Sequence, residues 1–279
     1  MERLDIFDAT ALLFRSFFAI PLNQEKNNRP ANALFGMARY LSTFLKRENP
    51  QHLVAVFDGP HNKAARQALD PNYKAHREKM PDELGEQIAP AYALCKALGI
   101  PHLISEGVEA DDVMGSVACW GSRQGSLVRI DSRDKDLCQL VNESIVMIDS
   151  RYPGKVIDRE EVRERHGVNP EQIVDYLAMV GDVADNIPGI RGVGPKKASN
   201  LINSYGSIEG IFQHLDALPS GLALRFKEGR EQLMLSRRLV ALDISTPCPQ
   251  EVSWYARKIP PLGDFPAWCQ ENALPSLIS

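Results

Sequence analysis

Long apolar runs are absent from this chain of 279 residues. None approaches the ~18 consecutive apolar residues that a membrane-crossing helix requires, so no membrane contact is expected. The opening stretch Met1-Glu2-Arg3-Leu4-Asp5 carries early acids and no apolar block, which argues against a secretory signal peptide. Cysteine is sparse. Cys95, Cys119, Cys138, Cys248 and Cys269 are odd in number, scattered, and never spaced as a CxxC pair. That excludes a disulfide framework and a thiolate zinc site as working readings, and the chain reads as cytoplasmic. A surplus of positive charge is lacking as well: the formal net charge is −4, whereas phosphate-binding proteins are usually basic. The objection lapses if the acids are gathered to hold cations, because two divalent ions would cancel about four units of negative charge.

What is present is ordinary in amount and telling in order. Apolar residues make up 44% and charged residues 24% of the chain, the balance of a soluble globular protein with one large core or two joined domains. Short β-like runs alternate with helical patterns in the first half, the mark of an α/β fold with a mainly parallel central sheet flanked by helices. Leu4-Asp5-Ile6-Phe7 ends at Asp8, Leu53-Val54-Ala55-Val56-Phe57 ends at Asp58, Leu127-Val128-Arg129-Ile130 ends at Asp131, and Ile145-Val146-Met147-Ile148 ends at Asp149. Ligands of such sheets sit beyond the carboxyl ends of the strands, and acids recur at those ends.

Helices fill the intervals. One opens at Pro81-Asp82-Glu83, with Leu84, Ile88, Tyr92, Cys95 and Leu98 at helical spacing up to Gly99 and a bend expected at Pro90. Another starts near Glu109 and carries Val113, Met114, Val117 and Trp120 on one side. From about residue 170 the pattern becomes helices joined by tight turns. Asn169-Pro170-Glu171 signals one start, Lys196 to Ile202 forms the next helix, and Pro247 to Pro266 is expected to wrap the surface.

The candidate chemistry lies in six segments: Asp8, Asp58, Glu109-Ala110-Asp111-Asp112, Asp134-Lys135-Asp136, Asp182 to Asp185, and Gly189 to Lys197. Each acid taken singly has an ordinary explanation as a turn residue, a loop residue, or a carboxylate favoured at a helix start. Taken together, acids at successive strand ends and helix starts would repel one another unless cations were bound. Hard Mg²⁺ or Mn²⁺ ions take oxygen ligands, and a pair of them suits phosphodiester chemistry. Gly192-Val193-Gly194 allows a tight turn before a helix start, a seat for phosphate reinforced by Lys196 and Lys197; a plain helical hairpin turn is the alternative. Between Asp58 and Glu109 lie Lys63, Arg66, Tyr73, Lys74, His76, Arg77 and Lys79, basic and aromatic residues interleaved as in single-strand grips, with Tyr73 as a stacking platform. A charged surface loop would have the same composition.

These motifs, in this order, resemble the 5′→3′ exonuclease domain of bacterial DNA polymerase I, within the flap endonuclease superfamily. Tyr73-Lys74-Ala75-His76-Arg77 with Met80-Pro81-Asp82-Glu83-Leu84 is similar to that family's arch, Gly107 to Asp112 to its most diagnostic motif, Asp134-Lys135-Asp136-Leu137 to the next, and Gly181 to Gly194 to its last acids and helical clamp. The similarity runs from Asp8 to about residue 245. The resemblance implies a PIN-like 5′ nuclease fold, with residues 1–168 as an α/β core that includes a helical arch at about 62–98. Residues 169–279 would form a helix-hairpin-helix clamp and tail packed against it.

The resemblance further implies that Asp8, Asp58, Glu109, Asp111, Asp112, Asp134, Asp136, Asp182 and Asp185 surround two Mg²⁺ or Mn²⁺ ions. Lys74 and Arg77 would act on the scissile phosphate, with Arg66 and Tyr73 beside them on the DNA. Gly192, Val193, Gly194, Lys196 and Lys197 would grip duplex phosphates, with a K⁺ ion on backbone carbonyls. The implied activity is two-metal hydrolysis of DNA at nicks, 5′ ends and 5′ flaps, including RNA primers, by a monomer working with a DNA polymerase. A non-catalytic branched-DNA binder and a PIN-type ribonuclease are the alternatives. Asp182 and Asp185 count against the first, and the arch and clamp count against the second. A phosphatase using Asp8 as nucleophile would want an acid where Thr10 stands. Three positions depart from the pattern: Ala9 replaces the usual Gly, Asp131-Ser132-Arg133 replaces Ser/Thr-Thr-Gly, and Ala65 replaces Phe.

Overall fold

The computed structural model describes residues 1–21, 30–149 and 154–278. Strand β1 (Arg3–Asp8) runs into helix α1 (Ala9–Ala19), which packs on α2 (Asn32–Glu48) before the chain enters β2 (Leu53–Asp58). Short helices α3 (Ala64–Leu69) and α4 (Asp82–Gly85) lead to α5 (Ile88–Ala97) and β3 (His102–Ser105). Helix α6 (Ala110–Arg123), β4 (Leu127–Asp131), β5 (Ile145–Ile148) and β6 (Val156–Ile157) follow. The sheet order is β3-β2-β1-β4-β5-β6, parallel throughout except for β6, which pairs antiparallel with β5. Chain order reverses beside β1, which lies between β2 and β4. A crevice opens outside the carboxyl ends of strands at such a reversal, and Asp8, Asp58 and Asp131 are the last residues of β1, β2 and β4.

Alternation along the strands splits the core in two. Leu4, Ile6, Val54, Val56, Val128 and Ile130 face α6, with Val113, Met114, Val117 and Trp120, and join the C-terminal helices. Phe7, Leu53, Ala55 and Phe57 face the other way, into a cluster with α1, α2 and α5. Strands buried on both faces explain why β2 reads as an unbroken apolar run.

The second half is helical: α7 (Arg159–His166), α8 (Ile173–Val180), α9 (Pro195–Tyr205), α10 (Ile208–Gln213), α11 (Ser220–Glu228), α12 (Arg230–Val240) and α13 (Asp264–Glu271). Asn169 and Gln172 form a reciprocal capping box on the turn before α8. Pro195 is the first residue of α9 after Gly194, and Gly206 (φ 82°) ends that helix. Helix α8 packs against both α9 and α12 and carries the helical half onto the sheet half.

Two sequence expectations need correction, and two strands were missed. The single helix bent at Pro90 is two helices, α4 and α5, broken at Gln87. That side chain is 1% exposed, donates to Asn32 Oδ1 at 3.0 Å and accepts from the Leu34 N–H at 3.1 Å. Pro90 sits in the first turn of α5, where a missing N–H costs little. Strands β3 and β6 are short and carry no clear alternation, so they escape a periodicity reading. The segment Pro247 to Pro266 does not simply wrap the surface: Tyr255 is fully buried and stacks on Trp120 with ring centroids 4.8 Å apart, while Ile259 and Leu262 remain exposed.

Candidate active site

Six acids line one cavity of about 890 Å³: Asp8, Asp58, Glu78, Glu109, Asp111 and Asp134. Lys63, Lys74, Arg77 and Lys79 line it as well. The Asp8 carboxylate caps α1, accepting from the Ala11 N–H at 2.9 Å, and its second oxygen accepts from the Ser132 hydroxyl at 2.8 Å. Asp58 Oδ1 accepts from Asn62 Nδ2 at 2.8 Å and from the Ala110 N–H at 3.0 Å, so the end of β2 is tied to the start of α6. The Asp58 N–H donates to Thr10 Oγ1 at 2.8 Å. Asp134 accepts from the Asp136 N–H at 2.9 Å, and its own N–H donates to Ser132 Oγ at 3.1 Å.

These acids feel one another. Burial pushes the Asp8 carboxyl up to about 7; the Ala11 and Ser132 hydrogen bonds oppose that, and the charges of Asp58 and Asp134 add to it. Burial also holds Asp111 well above the usual carboxylate range, reinforced by Asp134, Asp8 and Asp58 and opposed by Lys74. Mutual repulsion of this kind requires that the acids share a side of the fold. A second acidic group adjoins the first. Burial lifts Asp136 to about 7, with Asp134 adding to the rise and Lys135 opposing it. Burial would also raise Asp182, but the hydrogen bond and charge of Lys135 overcome it and hold that carboxyl low.

Glu109, Asp112 and Asp185 are already paired with cations. Arg66 is 8% exposed and sends Nη1 to Glu109 and Asp112 at 2.7 Å each and Nη2 to Asp112 at 2.8 Å. It also donates to the Leu239 and Ala241 carbonyls at 2.9 and 3.2 Å. Asp112 takes a further bond from the Asp243 N–H at 2.8 Å and does not line the cavity. The Tyr73 hydroxyl donates to Glu109 at 2.9 Å, and the Lys74 ammonium pairs with Glu109 and lies 3.5 Å from Asp185. Arg77 pairs with Asp185 as well. Lys74 takes a left-handed backbone (φ 52°), and its N–H donates to the Asp185 carbonyl at 2.9 Å. Strain of that sort persists only where neighbours hold it.

Several expectations change accordingly. Tyr73 is 3% exposed and its hydroxyl is committed to Glu109, so it offers no stacking face. Arg66 is an internal tie between α3, α6 and the end of α12 rather than a surface cation. Asp112 is turned into that tie. At the clamp, Val193 is 3% exposed and pins the turn from inside, while Gly192 (φ 74°) supplies the left-handed residue. Lys196 and Lys197 are exposed, and Lys197 Nζ donates to the Gly192 carbonyl at 2.8 Å. Among the described residues, no three His, Cys, Asp or Glu side chains stand in a ready-made coordination shell; the acids ring the cavity wall instead. Their donor set is all oxygen and strongly anionic, the chemistry of a hard divalent cation.

Sequence reasoning passed over Ser132, Asn62, Thr10 and Lys135. For Lys135 a signal existed, since it stands between two candidate acids. The roles of the neutral residues become visible only through their partners.

An α/β sheet with acids at its strand ends, and a cationic rim facing them, defines a class of enzymes that process phosphate esters. Comparison with known proteins narrows the class. Residues 3–167 match the family described as "5'-3' exonuclease, N-terminal resolvase-like domain", and residues 168–261 match "5'-3' exonuclease, C-terminal SAM fold". The 5'-3' exonuclease of Aquifex aeolicus is 42% identical over 242 residues, covering 87% of this chain and 82% of that protein. The DNA polymerase I of Caldicellulosiruptor bescii is 36% identical over 250 residues, 88% of this chain but 29% of the polymerase. The chain belongs to the 5'-3' exonuclease family and is an enzyme of that kind. Among solved structures, a bacteriophage T5 5'-exonuclease with bound zinc superposes with a TM-score of 0.74 at 22% identity, covering 98% of each chain. The T5 flap endonuclease in a pseudo-enzyme-product complex with DNA and metal ions gives 0.72 at 21%, again 98% of each. At those identities the likeness establishes the fold.

Proposed function

We propose that the chain hydrolyses phosphodiesters near the 5′ end of nicked, branched or flapped DNA, with two Mg²⁺ or Mn²⁺ ions held at the acid-lined cavity. The observation that carries this is the convergence of Asp8, Asp58, Asp111 and Asp134, from β1, β2, α6 and the loop after β4, on the cavity that Lys74 and Arg77 also line. Asp8, Asp58, Asp111 and Asp134 would hold the first ion. Asp136, Asp182 and Asp185, reached through Asp134, would complete the second site. Divalent ions there supply Lewis-acid polarisation of the phosphate and acidification of a water. Glu109 stays anchored by Arg66 and Tyr73 and keeps Lys74 aimed at the cavity.

Lys74 and Arg77 bind the phosphate oxygens and stabilise charge as it develops. In the resting arrangement both are parked on acids, so an arriving phosphate competes with Glu109 and Asp185 for them. Lys196 and Lys197 bind the duplex backbone beside the start of α9. The ammonium of Lys197 already caps the Gly192 carbonyl, so a K⁺ ion at that turn would have to use the neighbouring carbonyls. Relatives named as DNA polymerase I make a polymerase the natural functional partner, and primer RNA at a 5′ end a natural substrate.

The test is cleavage of a 5′-labelled flap duplex with and without Mg²⁺, beside a matched RNA flap. Mg²⁺-dependent cutting near the junction is expected, with Asp111→Asn slower by roughly a thousandfold or more. Folded protein that never cuts in Mg²⁺ or Mn²⁺, or an Asp111→Asn rate equal to wild type, defeats the proposal.

A further inference from the structure

Several acids at and beside the cavity differ in what holds them. Glu109, Asp112, Asp182 and Asp185 are held by lysine or arginine. Asp8 and Asp58 are held by neutral donors alone, a backbone N–H and one side chain each. A cationic partner fixes a carboxylate but cancels its charge. A neutral donor fixes its direction and leaves the negative charge available to a ligand.

The two side chains doing this have no other evident task. Ser132 is 3% exposed. Its hydroxyl donates to Asp8 Oδ2 at 2.8 Å and accepts from the Asp134 N–H at 3.1 Å. A hydroxyl has one proton and two lone pairs, so both bonds form together. Ser132 thereby sets the end of β1 against the loop after β4 and registers two of the cavity's acids to each other. Asn62, half-buried, donates to Asp58 Oδ1, which also accepts from the Ala110 N–H. Two donors on one oxygen set the carboxylate plane and leave Oδ2 with no hydrogen bond among the described residues.

We propose that Ser132 and Asn62 are positioning residues of the metal centre: they hold the Asp8 and Asp58 carboxylates in the orientation at which a divalent cation is bound. This rests on the reading of the cavity as a metal site. Removing an outer hydrogen-bond partner from a metal ligand typically costs about 10–100-fold in metal affinity. Each residue serves a different carboxylate of one ion, so the double variant reports how far the two losses are coupled.

Mn²⁺ binding to the full chain, followed by calorimetry and by the Mn²⁺ electron spin resonance signal, tests this without substrate. Ser132→Ala and Asn62→Ala are each expected to weaken Mn²⁺ binding by about tenfold, and the pair together by more than either alone. Ser132→Thr, which keeps the hydroxyl, restores binding to near wild type. In the flap assay the Mg²⁺ concentration for half-maximal rate rises in the alanine variants, while the rate at saturating Mg²⁺ recovers. A generic packing defect would lower that rate at every Mg²⁺ concentration. Mn²⁺ affinities within twofold of wild type in both alanine variants overturn the proposal. Asp111→Asn separates the two levels: if it abolishes Mn²⁺ binding while the alanine variants bind normally, the positioning role fails alone. If it too leaves Mn²⁺ binding unchanged, the metal reading itself has failed.

Discussion

Replacing Arg66 with alanine should cripple stability before it touches chemistry. The guanidinium lies under the cavity, its side chain 10% exposed and the Glu109 and Asp112 side chains 6% exposed. Burial alone would lower its pKa; the hydrogen bonds and charges of Asp112 and Glu109 reverse that, so it remains charged. In Arg66→Ala, Glu109 keeps Tyr73 and Lys74, but Asp112 keeps only the Asp243 N–H. A buried carboxylate losing its ion partner costs about 3–5 kcal/mol, and the Leu239 and Ala241 carbonyls lose their donor as well. At roughly 2–4 °C per kcal/mol for a chain of this size, Tm should fall by roughly 6–20 °C. Urea titration and thermal melting by circular dichroism measure both. Arg66→Ala with Asp112→Ala should recover about 2 kcal/mol relative to additivity, because the stranded charge goes with its partner. If Arg66→Ala melts within about 1 kcal/mol of wild type yet loses cleavage, Arg66 is a substrate contact and the tie described here is wrong.

Burial raises the Asp131 carboxyl from 3.8 to about 6, opposed by the Tyr40 hydroxyl, Arg15 and Arg129. A group raised in the folded state contributes stability that is complete below the unfolded value and lost as pH climbs through the folded one. Wild type should therefore lose on the order of 2 kcal/mol relative to Asp131→Asn between pH 4 and pH 7; urea melts showing the same difference at every pH would refute it. Gly181 has φ 77°, and a Cβ there would lie 2.5 Å from the Gly189 nitrogen and 2.7 Å from the Ile187 oxygen. Gly181→Ala should cost more than about 2 kcal/mol and displace the adjacent Asp182; a denaturation midpoint equal to wild type would sink that reading. Lys196→Ala should reduce the slope of log binding constant against log salt for flap DNA by about 0.9, the share of one duplex phosphate contact, as read by fluorescence anisotropy in Ca²⁺. An unchanged slope would remove Lys196 from the DNA surface.

Much of the architecture was legible in the linear chain. Four strands were marked by apolar runs ending in acids, and those runs recur at β1, β2, β4 and β5 because central parallel strands must be apolar on both faces. The start of α6 was marked by acids at its N-terminus and the start of α8 by an Asn-Pro pair, local signals with local causes. The acids of the site were legible too, as residue types at strand ends.

Their division of labour was not. In sequence, Glu109, Asp111 and Asp112 are three neighbouring carboxylates of equal standing. In the fold, successive helix positions point about 100° apart, so Asp111 faces the cavity while Asp112 turns into Arg66. Tyr73 and Lys74 read as a surface grip because basic loops are usually exposed; they are buried because Asp185, more than a hundred residues away, meets them. Asn62 carries no motif, and Ser132 stands out in sequence only as part of a departure from the family pattern. Backbone pattern and charge are properties of short stretches and can be read from them, whereas the pairing that decides which carboxylates keep their charge is made between segments that meet only when the chain folds.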